Sequence, residues 1–273
     1  MIRTKIPQEE FQTIADKYSS GISLCQLEKE YPTDRNTLKK IVLECGVDIR
    51  DNSHKSRKYT LNENYFDNID TEIKAYALGL LYSDGWNSNI NTIGIQLQDG
   101  DQSVLDVINA DMCSNRKIVK KSLHSKNSKW KDSYLLSITN KHMSEQLKSL
   151  GLMPNKNFKL RLPTCLNEEM MRHFLRGYFD GDAHFHINEG CYWISMGCNK
   201  EFCNDLISYV NQKFNLNSKL YHRKDTEAVV WELIGKLNIL SFMEYLYEGS
   251  TVYIQRKYNI YLRLKYLVEL SGE

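Results

Sequence analysis

The chain has 273 residues, 41% of them apolar and 26% charged, with a formal net charge of +2. That length and composition predict a globular protein of one large or two modest domains. The most apolar stretch, Ala75 to Tyr82, is far shorter than the roughly 20 residues of a membrane helix, and the leading MIRTKIPQEEF has no signal-peptide core. The expectation is a cytoplasmic protein of a bacterial, phage-encoded or organellar interior, not secreted and without a membrane partner. Seven cysteines, odd in number and lacking a CxxC pair, predict free thiols rather than a disulfide framework or structural zinc.

Residues 1–48 read as a small all-α domain. Phe11, Ile14, Ala15 and Tyr18 keep helical spacing up to Gly21. Ser23 caps a second helix carrying Leu24, Leu27 and Tyr31, which Pro32 stops. Asp34 caps a third, with Leu38, Ile41, Val42 and Cys45, closed by Gly46. The same pattern encodes a three-helix interaction module or a helix-turn-helix, whose last helix enters a major groove. YSSGISLCQLEKEYPTDRNTLKKIVLECGVDIR resembles the helix-turn-helix of resolvase-type DNA-binding domains, and that resemblance turns Arg35, Asn36, Thr37, Lys39 and Lys40 toward DNA. Residues 49–70 are polar and lack periodicity, and are read as a linker.

From residue 72 the chain repeats itself. A helix holding ALGLLYSDG (77–85) precedes the strand-like Ile93, Ile95 and Leu97, then a helix from Asp101. Strands near 116–123 and 133–139 and a helix over 141–150 follow. FLRGYFDGDA (174–183) opens a second copy, with strands near 184–187 and 191–197 and a helix over 199–213. Strands near 218–223 and 228–234 and a helix over 236–246 close it. Two αββαββα units, 71–167 and 168–273, make the predicted class α+β.

Both copies open on a helix with an interior glycine, Gly79 and Gly177, at a cost of about 1 kcal/mol relative to alanine. Such glycines belong where another backbone passes close. Each helix then ends on an aspartate, Asp84 or Asp182, at the already negative end of the helix dipole. One such acid starts a turn; two in register suggest a bound divalent cation. Few protein donors, all oxygen, suit Mg²⁺ or Mn²⁺, and paired acids holding metal at a phosphodiester suit its hydrolysis.

ALGLLYSDG and LRGYFDGDA resemble the two motifs of a single-chain, double-motif LAGLIDADG homing endonuclease. LNENYFDNIDTEIKAYALG, LKSLGLMPNK, RHFLRGYFDGD and YLYEGSTVYIQRKY extend the likeness over roughly residues 60–268. The resemblance implies two pseudo-symmetric halves forming a saddle on a long, asymmetric duplex DNA target, in a monomer. It implies metal at Asp84 and Asp182 with the backbone of Gly85 and Ala183, and a basic residue in each half, Lys156 and Lys257. Gln98 is similar to a water-orienting residue of some members, its counterpart falling at Met196 or Cys198. Two departures stand out: Tyr82 for the first acid of motif one, and Ala183 for the closing glycine of motif two.

A basic block of Arg116, Lys117, Lys120, Lys121, Lys126, Lys129 and Lys131, with no acid among them, then becomes a DNA-facing hairpin. Taken alone it is a solvated surface. Arg223 and Lys224 take the matching place in the second half. His184 and His186 share a strand face without completing a zinc set, and Met170 and Met171 read as core. The implied function is site-specific double-strand cleavage on behalf of a mobile element such as an intron. The alternatives are a DNA-binding regulator that lost cleavage, or an RNA maturase on the same fold.

Overall fold

The computed structural model describes residues 6–49, 59–122, 131–156, 160–188, 190–222 and 229–271. The chain divides into two compact units between residues 58 and 59. In the first, α1 (Glu10–Ser19), α2 (Leu24–Glu30) and α3 (Arg35–Glu44) lie where spacing and caps predict. The Ser23 hydroxyl accepts from the Gln26 N–H, and the Asp34 carboxylate from the N–H groups of Asn36 and Thr37. Each cap satisfies donors that the first helical turn leaves unpaired. Phe11, Ile14, Tyr18, Leu27, Leu38, Ile41 and Val42 form the unit's own core.

The second unit begins at Tyr59, so the expected linker over 49–70 is too long at its C-terminal end. Tyr65 and Phe66 are buried, and the Tyr65 hydroxyl donates to Asp111 at 2.6 Å. Asparagines and aspartates around this aromatic pair hide its burial from a reading based on periodicity.

The first half runs α4 (Glu72–Tyr82), β1 (Gly85–Asn87), β2 (Thr92–Gln98), α5 (Gln102–Asp111), β3 (Val119–Lys121), β4 (Ser133–Thr139) and α6 (Lys141–Ser149). The second runs α7 (Glu168–Asp182), β5 (His184–Asn188), β6 (Cys191–Cys198), α8 (Lys200–Phe214), β7 (Lys219–His222), β8 (Val229–Ile234) and α9 (Lys236–Tyr247). A final helix, α10 (Gln255–Ser271), has no counterpart among the described residues of the first half. α7 begins earlier than the motif suggests because the Asn167 side chain caps it through the Met170 N–H.

Both sheets are antiparallel, in the orders β1-β2-β4-β3 and β5-β6-β8-β7, so the internal repeat extends to topology. Ile93, Ile95 and Leu97 on β2, like Ile194 and Met196 on β6, turn to the helices. Alternate residues stand on the opposite face, as the two-residue period of a strand requires. That open face carries Gln96 and Ser137 in the first half and Trp193, Ser195 and Glu232 in the second.

α4 and α7 cross at the centre, and Ala75 through Tyr82 is buried throughout. A Cβ at Gly79 would lie 2.0 Å from the Phe174 carbonyl oxygen, and one at Gly177 would lie 2.1 Å from that of Tyr76. The two interior glycines therefore bring backbone against backbone. Beside the crossing, Arg176 is fully buried and donates to Val252 O, Leu246 O and Glu72. Asp180, also fully buried, accepts from the hydroxyls of Tyr76 and Tyr247 and from the Ile254 N–H. Buried charges persist only when so completely bonded. This network ties α4, α7, α9 and the approach to α10 together. No described helix is long and apolar enough to cross a membrane.

Candidate active site

Asp84 follows Ser83, the C-cap of α4, and Asp182 is the last residue of α7. The two helix ends meet at Gly181, where a Cβ would lie 2.1 Å from Ser83 Oγ and 2.9 Å from Asp84 Oδ2. Gly85 is required for a similar reason, since a Cβ there would lie 2.6 Å from the Leu81 Cα. Ala183 needs no glycine: its backbone is extended (φ −77°, ψ 141°) and its methyl is buried. Tyr82 donates to the Leu150 carbonyl at 2.5 Å, a tie that the acid of the usual motif could not make.

Two lysines converge on these helix ends. Lys156 donates to the carbonyls of Leu81, at 2.9 Å, and Tyr82, at 2.7 Å, and to that of Ser83. Lys257 donates to the carbonyl of Ala183 and lies over the Phe185 ring. Both ammonium groups thus complete helix C-termini whose carbonyls have no intrahelical partner. Neither pairs with a carboxylate, so among the described residues the oxygens of Asp84 and Asp182 accept no hydrogen bond.

The charges respond to this crowding. Burial pushes the Asp84 carboxyl above its usual range, against the pull of Lys156, Arg256 and Lys257. Asp182 is exposed, beside the half-buried Asp84. Desolvation, then repulsion from Asp84, raises its pKa to about 6. Burial lowers Lys156 to about 8, opposed by the two aspartates. Lys257 falls to about 8 through burial and the neighbouring Arg256 charge. Two unpaired, partly desolvated carboxylates at the negative ends of two helices form a site that a hard cation would stabilise. No cluster of three or more His, Cys, Asp or Glu side chains placed to hold a metal occurs among the described residues, so such an ion would keep mostly water and backbone oxygens as its other ligands.

Gln98 ends β2 and donates to Asp101 Oδ2 at 3.2 Å. Strand register gives its counterpart. Trp86 and His184, each two residues beyond its acid, pair with Gly94 and Ser195, so Gln98 corresponds to Asn199 rather than to Met196 or Cys198. Met196 is buried in the core. Arg256 joins the site from structure alone: its Nε donates to the same Asp101 oxygen at 3.1 Å, and its charge acts on Asp84. No spacing signal announces it, because it arrives from α10 of the other half.

The expected DNA-binding residues separate into two groups. Arg116 donates to Ser137 O at 2.9 Å and stacks on Tyr59, and Lys120 pairs with Asp132 beside Tyr134. Lys121, opposite Ser133, is exposed, as are Lys117 and Lys131. In the first unit Arg35 pairs with Glu28 and Thr37 bonds Asp34, whereas Asn36, Lys39 and Lys40 are exposed. Lys126, Lys129, Arg223 and Lys224 lie outside the described residues. His184 and His186 pack on Trp193, the latter stacked at 4.9 Å on the open sheet face. Met170 and Met171 are buried.

Residues 169–247 match the family model of the LAGLIDADG-like domain. Among solved structures, the chain is similar to the I-LtrWI LAGLIDADG homing endonuclease bound to target DNA. The TM-score is 0.53 at 13% identity, covering 75% of this chain and 92% of that one. The N-terminal LAGLIDADG domain of DUF199/WhiA matches with a TM-score of 0.47 at 14% identity, over 70% of this chain and 90% of that one. Full-length DUF199/WhiA from Thermatoga maritima gives 0.48 at 14%, over 75% and 66%. No curated protein sequence matches the chain. The α+β unit has the LAGLIDADG fold, and its second half carries a LAGLIDADG-like domain.

Proposed function

We propose that the chain is a site-specific endonuclease that hydrolyses phosphodiester bonds of duplex DNA. It would work as a monomer whose two halves each address one strand of a long, asymmetric site. The observation that carries this reading is the pair of carboxylates on touching helix ends, left unpaired although two lysines stand beside them. Asp84 and Asp182, with the backbone at Gly85 and Ala183, would hold Mg²⁺ or Mn²⁺. When bound, that ion supplies Lewis acidity and a water of lowered pKa.

The chain's own residues do the rest. Lys156 and Lys257 neutralise the carbonyl ends of α4 and α7, so the carboxylates face the ion without added repulsion from the helix termini. With pKa values near 8, both ammonium groups can also exchange a proton near neutral pH. Gln98, fixed by Asp101, orients a water at the first-half site. The open faces of the two sheets, with Gln96, Ser137 and Lys121, would read base edges and phosphates. One solved homing endonuclease with this fold, I-LtrWI, is bound to target DNA.

The test maps the ends of genomic DNA treated with purified protein and Mg²⁺, beside the Asp84→Asn/Asp182→Asn double variant. Ends recurring at one sequence, and missing with the variant, are the expected result. Duplex binding selected from random sequences, without cutting under any metal, would instead identify a regulator.

Two further outcomes follow. Cation affinity should fall as pH drops through about 6, because Asp182 must be ionised to hold the ion. Competition titrations with Mn²⁺ that stay flat between pH 5 and 8 would remove Asp182 from the site. The three-helix unit would act as a helix-turn-helix that lengthens the recognised site. A chain beginning at Tyr59 should then bind about tenfold or more weakly and still cut at the same bond. A displaced cut in end-mapping would refute that role.

A further inference from the structure

The two halves place unlike residues immediately before their paired lysines. Asn155, ahead of Lys156, has a left-handed backbone (φ 57°). Arg256, ahead of Lys257, lies in the first turn of α10. Its Nε donates to Asp101 at 3.1 Å, and Gln98 donates to the same carboxylate oxygen. Asp101 stands at the N-cap of α5 yet makes no side-chain cap bond there. Although only 5% exposed, it is committed to Gln98 and Arg256.

The guanidinium therefore crosses from the last helix of the second half to the site of the first. Its side chain is 44% exposed, and among the described residues its two terminal nitrogens donate to nothing. Among the described residues no arginine is placed equivalently at the other site. Asn155 stands where an arginine would, and Asn199, the register counterpart of Gln98, spends its amide on the Leu160 carbonyl and on Glu201. Among the described residues the sites at Asp84 and Asp182 thus differ by one open, doubly donating cation.

We infer that Arg256 holds the phosphate cut at the Asp84 site, so the enzyme cuts the two DNA strands in a fixed order with that strand first. The inference rests on the endonuclease reading. In the hydrolysis the water oxygen bonds to phosphorus as the bond to the leaving sugar oxygen breaks. That oxygen takes up one proton and the other passes to solvent. Negative charge gathers on the non-bridging oxygens, and the planar fork of an arginine matches two of them at once. A donor fixed before the reaction, here by Asp101, acts without reorganising, and removing one such donor typically costs about 10²–10³ in rate.

The experiment uses the full chain with Mg²⁺ in excess over a duplex of the selected target, each strand labelled separately, in single turnover. Wild type should cut one strand at least about tenfold faster than the other. Arg256→Gln should slow that strand about 30- to 100-fold and leave the second within about threefold, so the identity of the accumulating nicked strand changes. Arg256→Lys, which keeps the charge and loses the fork, should recover part of the rate. Melting temperature and duplex affinity of both variants separate this from a structural effect. Equal slowing of both strands, no slowing, or equal rates in wild type would overturn the inference while leaving the endonuclease standing. A wild type that binds its target and cuts neither strand would sink both.

Discussion

Asp182→Asn should lower the rate of strand cleavage by about a thousandfold or more and leave duplex affinity within a few-fold. A thousandfold is about 4 kcal/mol of transition-state free energy. Asparagine keeps the shape of the side chain and its place at the end of α7, so the sheets that would meet DNA are undisturbed. What it removes is one of the two negative charges available to a cation with few protein ligands. Asp84→Asn should behave alike. Gel-shift titration and single-turnover cleavage on one target measure the two quantities. Loss of binding in parallel with cleavage would mean that the carboxylate is structural.

Stability should move the other way. The native pKa of Asp182, about 6, lies above the carboxylate range near 4 of an unfolded chain. An acid whose folded pKa is raised binds more protons in the native state than in the unfolded one. Stability then falls as pH rises between the two values, and the full loss persists above the native pKa. Asparagine carries no such charge. Without metal, Asp182→Asn should melt above wild type at pH 7, and the difference should close toward pH 4. A variant that is less active and more stable marks a residue kept for chemistry. A lower melting temperature at pH 7 would contradict the electrostatic account of the site.

Much of this site is written locally, and the rest is assembled from distant segments. Gly79, Gly177, Asp84 and Asp182 stand out because each breaks a rule of ordinary helices, and the break recurs in register. The alternation of Ile93, Ile95 and Leu97 likewise gives the strand and its buried face. By contrast, the lysines were legible as residues but not in their bonds: a sequence does not say that an ammonium will choose a carbonyl over a carboxylate. Arg256 reaches Asp101 across 155 positions of chain, and no periodicity carries that information. Arg176 and Asp180 also resist a sequence reading, since charged side chains on a helix are expected to face water. Only the convergence of Glu72, Tyr76, Tyr247 and the 252–254 backbone makes their burial tolerable. The aromatic pair at 65–66 and the final helix resist a sequence reading for a related reason, because partners remote in sequence decide their burial.

Gly79→Ala should destabilise the α+β unit by about 3 kcal/mol or more, and Gly177→Ala by a similar amount. Two effects of opposite sign compete. Alanine is about 1 kcal/mol better than glycine within a helix. Against that, the new methyl carbon would sit 2.0 Å from the Phe174 carbonyl oxygen and 2.7 Å from the Tyr178 N, both backbone atoms of a buried helix. A flexible side chain could swing aside; a backbone carbonyl can yield only if α4 and α7 move apart. Overpacking of a core commonly costs 1–3 kcal/mol, and a clash with rigid main chain belongs at the upper end or beyond. For a domain stabilised by about 5–15 kcal/mol the loss is severe. Gly197→Ala is the control, because nothing lies within 4 Å of a Cβ there, and it should change stability by less than about 1 kcal/mol. The double variant Gly79→Ala/Gly177→Ala should cost less than the sum, since the first methyl opens the crossing that the second would also have to open. Denaturant midpoints measure all four proteins. Where a single variant still folds, the same separation moves Asp84 from Asp182 while each sheet keeps its own strands. Cleavage should therefore fall by a larger factor than duplex affinity. Equal losses would mean that the crossing holds up the binding faces and has no particular hold on the paired carboxylates.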